Sequence, residues 1–259
     1  MQFRIISLDT AKKFGYPPFL ARKTINSTLG AALVKGMENR MISYESIKKN
    51  EAVKIYIERA DASLKALGYT EHSYAHVGTV AKRASELLSG LGYDDRLVEL
   101  VRIAAHLHDI GNVVNRVDHS QSGALIAFRI LDKLGMDASE IAEIVTAIGN
   151  HDEGTGVPVS ALAAALIIAD KSDVRRSRVR NNDFQSFDIH DRVNYSVTAS
   201  ELMLTVGEKT VSLYLTVDTA ISSIMDYFEI FLVRMKLCRS AAEALGLKFE
   251  LVINGQKFL

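Results

Sequence analysis

The chain contains 259 residues, of which 48% are hydrophobic and 24% charged, a balance typical of a soluble globular protein with a substantial core. Its formal net charge is zero, so no overall charge favours nucleic acid or a membrane surface as a partner. The single cysteine, Cys238, excludes an internal disulfide framework and suits the reducing cytoplasm, where we expect the protein to be.

No segment of the sequence has the pattern of a membrane signal or anchor. The first apolar run, residues 1–6, is short and is interrupted by Arg4, so we expect no signal peptide. The longest apolar run, residues 161–169, is shorter than half of the about 20 residues that span a bilayer. We therefore expect no membrane partner.

The N-terminal part of the chain gives few structural signals. Residues 14–18, with two consecutive prolines, indicate a turn, and residues 27–37 are suited to a short helix. From Ser43, a suitable N-cap, a helical pattern runs to about Leu67 and is closed by Gly68. We assign residues 1–70 to an N-terminal extension and a lead helix.

Helix follows helix through the middle of the chain. The apolar periodicity predicts helices over about 71–88, 97–110, 120–134, 139–150 and 161–169. Polar residues fall at the helix ends and in the loops, as in an all-helical core with a site built from helix termini. We assign residues 71–182 to this helical domain.

The pattern changes after residue 182. Apolar and polar residues alternate over 193–197 and 211–217, and Gly207-Glu208-Lys209 between them predicts a hairpin turn. A long amphipathic helix over 219–245 and a last strand over 249–253 follow. We assign residues 183–259 to a small α/β appendage, so the predicted fold is mainly α, a helical bundle with a β-hairpin, a long helix and a strand.

Histidine and aspartate side chains recur where these helices end. The candidate metal ligands are His76, His108, Asp109, His119, His151 and Asp170. Nitrogen and carboxylate ligands without thiolate favour iron, manganese, zinc or magnesium in a hydrolytic site over a structural zinc site. Two histidines for each ion and a bridging Asp109 would leave open positions for water and substrate.

Other polar residues near these positions have both functional and structural interpretations. Lys171, Arg175 and Arg178 follow the spacing of one helix face, which suits either a phosphate clamp or solvated basic residues at a helix C-terminus. His72 shares a helix face with His76 and is suited to hold a ligand through a hydrogen bond. We interpret His106 as a packed residue or as one that supports a metal ligand.

The ordered set of residues resembles the HD superfamily of metal-dependent phosphohydrolases, whose signature is a histidine, a His-Asp pair and a later aspartate. The matching positions are His76, His108, Asp109 and Asp170. The resemblance implies an all-helical bundle and extends from about residue 72 to 182. In members with two ions, such as the HD-GYP phosphodiesterases and the symmetrical diadenosine-tetraphosphate hydrolases, further histidines stand where His119 and His151 lie. The chain differs from the HD-GYP loop at Asp152 and Val157.

The residues and the resemblance together predict a metal-dependent phosphohydrolase, a phosphomonoesterase or phosphodiesterase that attacks a nucleotide or another small phosphoester with metal-activated water. We expect His76, His108, Asp109 and Asp170 to hold one ion. His119 and His151 would hold a second ion, with Asp109 bridging. Asp109 and Lys171 are the expected catalytic residues, and Lys171 and Arg175 the expected substrate contacts.

Two alternatives use the same ligand set. The first is an oxygenase that activates oxygen at a di-iron site on the HD fold. The second is a non-catalytic metal-binding sensor or interaction module whose appendage binds a partner. The long C-terminal helix and the strand edges are suited to self-association, and no nucleic acid partner is expected.

Overall fold

The structure, a computed structural model, describes residues 41–181 and 183–259. The predicted turn at 14–18 and helix at 27–37 lie outside these residues. Met41–Leu259 belong to one compact unit. Within the described part of the chain, no helix combines the length and the hydrophobicity needed to cross a bilayer.

The first part of the described chain is a bundle of α-helices, each begun by a short polar residue or turn. Its helices are α1 (Tyr44–Lys49), α2 (Glu51–Ala66), α3 (Tyr74–Gly90), α4 (Asp95–Leu107), α5 (His119–Leu134), α6 (Ala138–Gly149) and α7 (Ala161–Lys171). Short polar side chains accept hydrogen bonds from the first-turn amides of several of them, as Asp94 does for α4 and Ser160 for α7. The predicted helical bundle is confirmed.

Helix α7 is the central element of the core. Every residue from Leu162 to Lys171 is buried, as expected for a helix that is apolar on all sides. Helices α3, α4 and α6 pack against α7, and so does the long helix of the appendage. The last turn of α7 therefore delivers Asp170 and Lys171 into the interior of the protein.

The C-terminal part of the chain is the predicted α/β appendage. It comprises α8 (Ile189–Ser196), β1 (Val197–Thr205), β2 (Thr210–Val217), α9 (Ile224–Ala244), β3 (Lys248–Ile253) and β4 (Gln256–Lys257). The strands form one sheet in the order β1-β2-β3-β4, in which β2 and β3 are parallel and the other pairs antiparallel. Its buried side chains join the core of the bundle, so the appendage and the bundle share one apolar interior. The boundaries at 70 and 182 stay predictions.

Several predicted boundaries were wrong, for local reasons. The lead helix is interrupted at Asn50, whose side chain accepts from Ala52 N and Val53 N and so begins a second helix. The alternation at 193–197 predicts a strand, but α8 occupies 189–196, because the Asp188 side chain caps it at Asp191 N. The long helix begins at Ile224 and not at 219, because Ser223 and Asp226 form a capping box.

Candidate metal centre and its cavity

Five helix ends meet at one place in the bundle. His76 lies in the first turn of α3, His108 caps the C-terminus of α4, and Asp109 follows it directly. His119 is the first residue of α5, His151 follows the end of α6, and Asp170 lies in the last turn of α7. All six side chains are buried, with Asp170 the most exposed at 9%. The structure thus brings together every predicted ligand.

Four of these side chains form a first cluster around one point. His108 Nε2 lies 3.2 Å from Asp109 Oδ2, and His76 Nε2 lies 3.4 Å from the same oxygen. Asp170 Oδ1 lies 3.3 Å from His76 Nε2 and 3.6 Å from His108 Nε2. Ligands about 2.1 Å from a shared ion lie about 3.0 Å apart at octahedral angles and about 3.4 Å apart at tetrahedral angles. The spacing therefore fits one divalent cation.

The second cluster lies on the other side of Asp109. His119 Nε2 and His151 Nε2 are 3.2 Å apart, and they lie 3.5 and 4.0 Å from Asp109 Oδ1. Asp152 Oδ1 lies 3.8 Å from His119 Nε2 and adds a carboxylate at this side. Because Oδ1 of Asp109 faces this cluster and Oδ2 faces the first, the carboxylate lies between two candidate cation sites.

The outer ring nitrogen of each histidine is held by a hydrogen-bond acceptor. His76 Nδ1 donates to Asp173 Oδ2 at 2.7 Å. The other three Nδ1 atoms donate to backbone carbonyls: His108 to Ala105, His119 to Arg116 and His151 to Ile148. Such bonds fix the tautomer and ring orientation that metal-binding histidines need. Each Nε2 atom is thereby directed toward the clusters.

The charges of the first cluster require a positive partner. Burial alone would lower the pKa of His108, but the Asp109 and Asp170 carboxylates raise it to about 10. Burial would raise the pKa of Asp109, but His108 and His76 hold it well below its ordinary value. Two ionised carboxylates in a buried site therefore attract either protons onto the imidazoles or a cation between them.

The second cluster has a different electrostatic character. Burial, together with the nearby charges of His108 and Lys171, keeps the pKa of His151 well below its ordinary value. Burial also lowers the pKa of His119, although Asp109 opposes this. Both imidazoles are consequently neutral near neutral pH, which is the form that binds metals.

A chain of charges connects the first cluster to the appendage. Lys171 Nζ lies 2.7 Å from Asp170 Oδ2 and 3.3 Å from Glu153 Oε1. Arg234 Nε on α9 forms an ion pair of 2.5 Å with the same Glu153 oxygen. Burial would lower the pKa of Lys171, but Asp170 and Glu153 raise it, so the ammonium stays charged. Lys171 thus holds Asp170 through Oδ2 and leaves Oδ1 facing the histidines.

The other predicted basic residues are not on one helix face, because α7 ends at Lys171. Arg175 contacts Asp173, Glu71 and Ser177, and it does not line the cavity. Arg178 does line the cavity and is only 4% exposed. The substrate contact predicted for Arg175 stays a prediction that this placement does not favour.

A cavity of about 390 Å³ opens beside the two clusters. On the side of the clusters it is lined by Asp109, His119, Asp170, Lys171, Arg116 and Arg178. The appendage supplies further lining residues, Asp188, His190, Asp191, Asn194, Phe231 and Arg234. This volume lies in the range of small-molecule sites.

The remaining histidines have distinct surroundings. His72 precedes α3 and does not share a helix face with His76, because Glu71 accepts from Ser73 N and holds this segment in a turn. His72 nevertheless lines the cavity and packs edge-on against His76, with ring centroids 5.4 Å apart. His106 is packed between the rings of Tyr44 and Tyr74, as predicted.

Sequence reasoning missed several residues that support this site. Asp173 was assigned no role, although it follows Asp170 by three residues and its carboxylate holds His76. Asn112, whose Nδ2 lies 3.1 Å from Asp109 Oδ1, also went unassigned. Glu153 and Arg234 belong to different parts of the chain, and only the packing of α9 on α7 brings them together.

Comparison with known proteins places this arrangement in a family. Residues 73–175 match the family model described as the HD domain. An uncharacterised protein of Methanocaldococcus jannaschii is 27% identical over 161 residues, which are 53% of this chain and 61% of that protein. The chain thus covers less than two thirds of the length of this relative.

A crystal structure was also found, of a predicted HD superfamily hydrolase from an uncultured Thermotogales bacterium. It is 29% identical, covers 48% of this chain and 67% of its own, and superposes with a TM-score of 0.39. The matched family segment includes His76, the His108-Asp109 pair and Asp170. Residues 73–175 of this chain are an HD domain, followed by an α/β appendage.

Proposed function

We propose that the protein is a metal-dependent phosphohydrolase with a binuclear centre. The single observation that carries this proposal is the position of Asp109, whose Oδ2 faces His76 and His108 and whose Oδ1 faces His119. The HD domain supports a metal-dependent hydrolase in general. The substrate and the number of ions belong to the proposal.

Six residues would bind the ions, and two further residues support these ligands. His76, His108, Asp109 and Asp170 would hold one divalent ion, and His119 and His151 a second, with Asp109 shared. An ion held this way would lower the pKa of bound water and would polarise a phosphoryl oxygen. Asp173 keeps the His76 ring in place, and Lys171 fixes Asp170 through its second oxygen.

The cavity supports an anionic substrate of modest size. The side chains of Arg116, Lys171, Arg178 and Arg234 all line it, and guanidinium groups are suited to bind phosphate oxygens. Lys171 is partly neutralised by Asp170 and Glu153, so the arginines offer the stronger contact to a phosphate. A nucleotide or another small phosphoester is the substrate class that we propose.

The proposal is tested by phosphate release from a panel of phosphomonoesters and phosphodiesters, with the protein loaded separately with Mn²⁺, Fe²⁺, Zn²⁺ and Mg²⁺. We expect turnover with at least one metal, and its loss in His108→Ala and Asp109→Ala. Circular dichroism of both variants checks that the fold is intact. Activity retained by these variants would contradict the proposal.

Two other results would redirect the assignment. Substrate-dependent oxygen consumption without phosphate release would favour an oxygenase with a di-iron centre. Normal metal content without turnover on the whole panel would favour a metal-binding sensor or interaction module. The cytoplasmic location and self-association of the chain remain predictions.

A further inference from the structure

Arg178 is a buried cation with one side-chain nitrogen left for a ligand. Its Nε donates to Glu71 O at 2.9 Å, and its Nη1 donates to Asp173 O at 2.7 Å. Among the described residues, Nη2 has no hydrogen-bond partner. Because two backbone bonds fix the guanidinium at the wall of the cavity, Nη2 is held in place to bind an anion there.

Asn194 also has one side-chain atom held by a backbone hydrogen bond and one atom left for a ligand, but here that atom is an acceptor. It is 6% exposed, and its Nδ2 donates to His190 O at 2.9 Å. Within the described part of the chain, Oδ1 has no donor, and the residue lines the cavity. Asp191 lies three residues earlier on the same helix, so both residues present acceptor oxygens from one face of α8.

The wall of the cavity therefore presents a hydrogen-bond donor, Arg178 Nη2, together with acceptor oxygens of Asn194 and Asp191. Arg178 lies beside the first cluster, since its Nη1 is 3.8 Å from Asp173 Oδ2, and Asp173 holds His76. Asn194 and Asp191 belong to the appendage, outside the HD domain. A phosphate is suited to bind the Arg178 donor, and a group that carries hydrogen-bond donors is suited to bind the acceptor oxygens.

We propose that Arg178 and Asn194 form a two-point binding site for phosphomonoesters whose alcohol portion carries hydroxyl groups. Arg178 binds the phosphate, and Asn194 accepts a hydrogen bond from a hydroxyl group. The inference rests on the proposed function, because the phosphate bound there is the group that the centre would act on. It assigns substrate specificity to the appendage and reaction chemistry to the HD domain.

The test is equilibrium binding to the metal-loaded full chain, which does not require turnover. The probes are phenylphosphonate and the methylene phosphonate analogue of ribose 5-phosphate. Neither can be hydrolysed, because a P–C bond replaces the ester bond. We expect Asn194→Ala to weaken the ribose probe about 3- to 10-fold and to leave phenylphosphonate unchanged. We expect Arg178→Gln to weaken both probes about 10- to 100-fold.

Two further variants separate binding from folding. Asn194→Asp loses the donor to His190 O but keeps an acceptor at the cavity, so it should retain the preference for the ribose probe. Gln185→Ala, an exposed polar residue of the segment before α8, should change neither affinity. If Asn194→Asp loses the preference for the ribose probe as Asn194→Ala does, the acceptor at this position does not bind the probe and the inference is wrong.

The outcomes also separate this inference from the proposed function. Binding that follows the expected pattern in a protein without phosphatase activity would support the site and contradict the proposed function. If the protein hydrolyses phosphoesters but Asn194→Ala weakens the binding of both probes equally, or if the ribose probe does not bind, the inference alone is overturned. A nucleoside monophosphonate as a third probe assigns the site to nucleotides if it binds more tightly than the ribose probe, and to sugar phosphates if it binds less tightly.

Discussion

His76 Nδ1 donates to Asp173 Oδ2 across a separation of 97 residues, at 2.7 Å. Both side chains are fully enclosed, at 0% exposure. Burial would raise the pKa of Asp173, but the hydrogen bond from His76 and the charge of Arg178 lower it, so the carboxylate is ionised. A carboxylate behind a metal-binding histidine orients the ring and increases its basicity.

The first prediction concerns this carboxylate. Asp173→Asn keeps an acceptor for His76 Nδ1 but removes the negative charge, so we expect affinity for the ion at the first cluster to fall about 10-fold. Competition with a metal chelator measures the change. Asp132→Asn, an exposed carboxylate on α5, is the control and should bind metal as the wild type does. Equal affinity in both variants would exclude this role for Asp173.

The second prediction concerns Gly111, where two backbone segments approach closely. A Cβ atom there would lie 1.9 Å from His119 O and 2.5 Å from Gly123 N. Because both contacts are backbone atoms of α5, we expect Gly111→Ala to lower the free energy of unfolding by about 3 kcal/mol. The displaced α5 should also weaken metal binding at the second cluster, because α5 carries His119.

Gly78 provides the matched control for that substitution. It lies inside α3, and a Cβ atom there would meet no atom within 4 Å. Gly78→Ala should therefore raise the free energy of unfolding by about 0.5–1 kcal/mol. Denaturant unfolding of both variants gives the comparison, and a Gly111→Ala protein as stable as the wild type would contradict the close approach.

The third prediction concerns the ion pair between Glu153 and Arg234, which joins the loop after α6 to the appendage. Their side chains are 19% and 26% exposed. In a double-mutant cycle of Glu153→Gln and Arg234→Met, we expect a coupling free energy of about 1 kcal/mol. Repeating the cycle with Arg239→Met, an exposed arginine of the same helix, should give no coupling. Equal coupling for the two arginines would mean that the pair does not link these parts.

The fourth prediction follows from the buried thiol of Cys238. Burial raises its pKa from 9.0 to about 12. In the unfolded chain the thiol ionises near its ordinary pKa, so above pH 9 the unfolded state loses its proton first. Stability from this group is therefore constant below about pH 9 and falls as pH rises toward 12, by up to about 1.4 kcal/mol per pH unit.

Cys238→Ala tests this sign. The variant should be less stable than the wild type at pH 8, because it leaves a cavity in the core. At pH 10.5 the wild type has lost about 2 kcal/mol through the thiol and the variant has not, so the difference should shrink by that amount. Parallel pH profiles of the two proteins would show that the thiol ionises as freely in the folded state as in the unfolded state.

The sequence was informative about the site where local rules fix a helix end. His108 and Asp109 follow an apolar helix, and Asp170 ends another, so periodicity indicated their burial. Their convergence was predicted from the ordered set of histidines and aspartates and its resemblance to the HD superfamily. His119 and His151 were expected near the same centre, and the structure brings them there. Their roles as ligands remain predictions. The mainly helical fold with its α/β appendage is confirmed.

The predictions from the sequence that were wrong concern features that depend on tertiary contacts or on a single capping residue. Helical spacing predicted Arg175 on one face with Lys171, whereas α7 ends at Lys171 and Arg175 contacts Asp173. His190 lies in the appendage, far along the chain from the candidate ligands, and it reaches the cavity because α8 packs against the segment at Arg178. No local sequence pattern predicts either contact.

We propose that Asp109 lies between two bound cations. Elemental analysis of purified protein, with metal counted per chain, tests it directly in the wild type and in His119→Ala and His151→Ala. We predict two ions per chain in the wild type and about one in either variant. One ion per chain in all three proteins would contradict the binuclear centre.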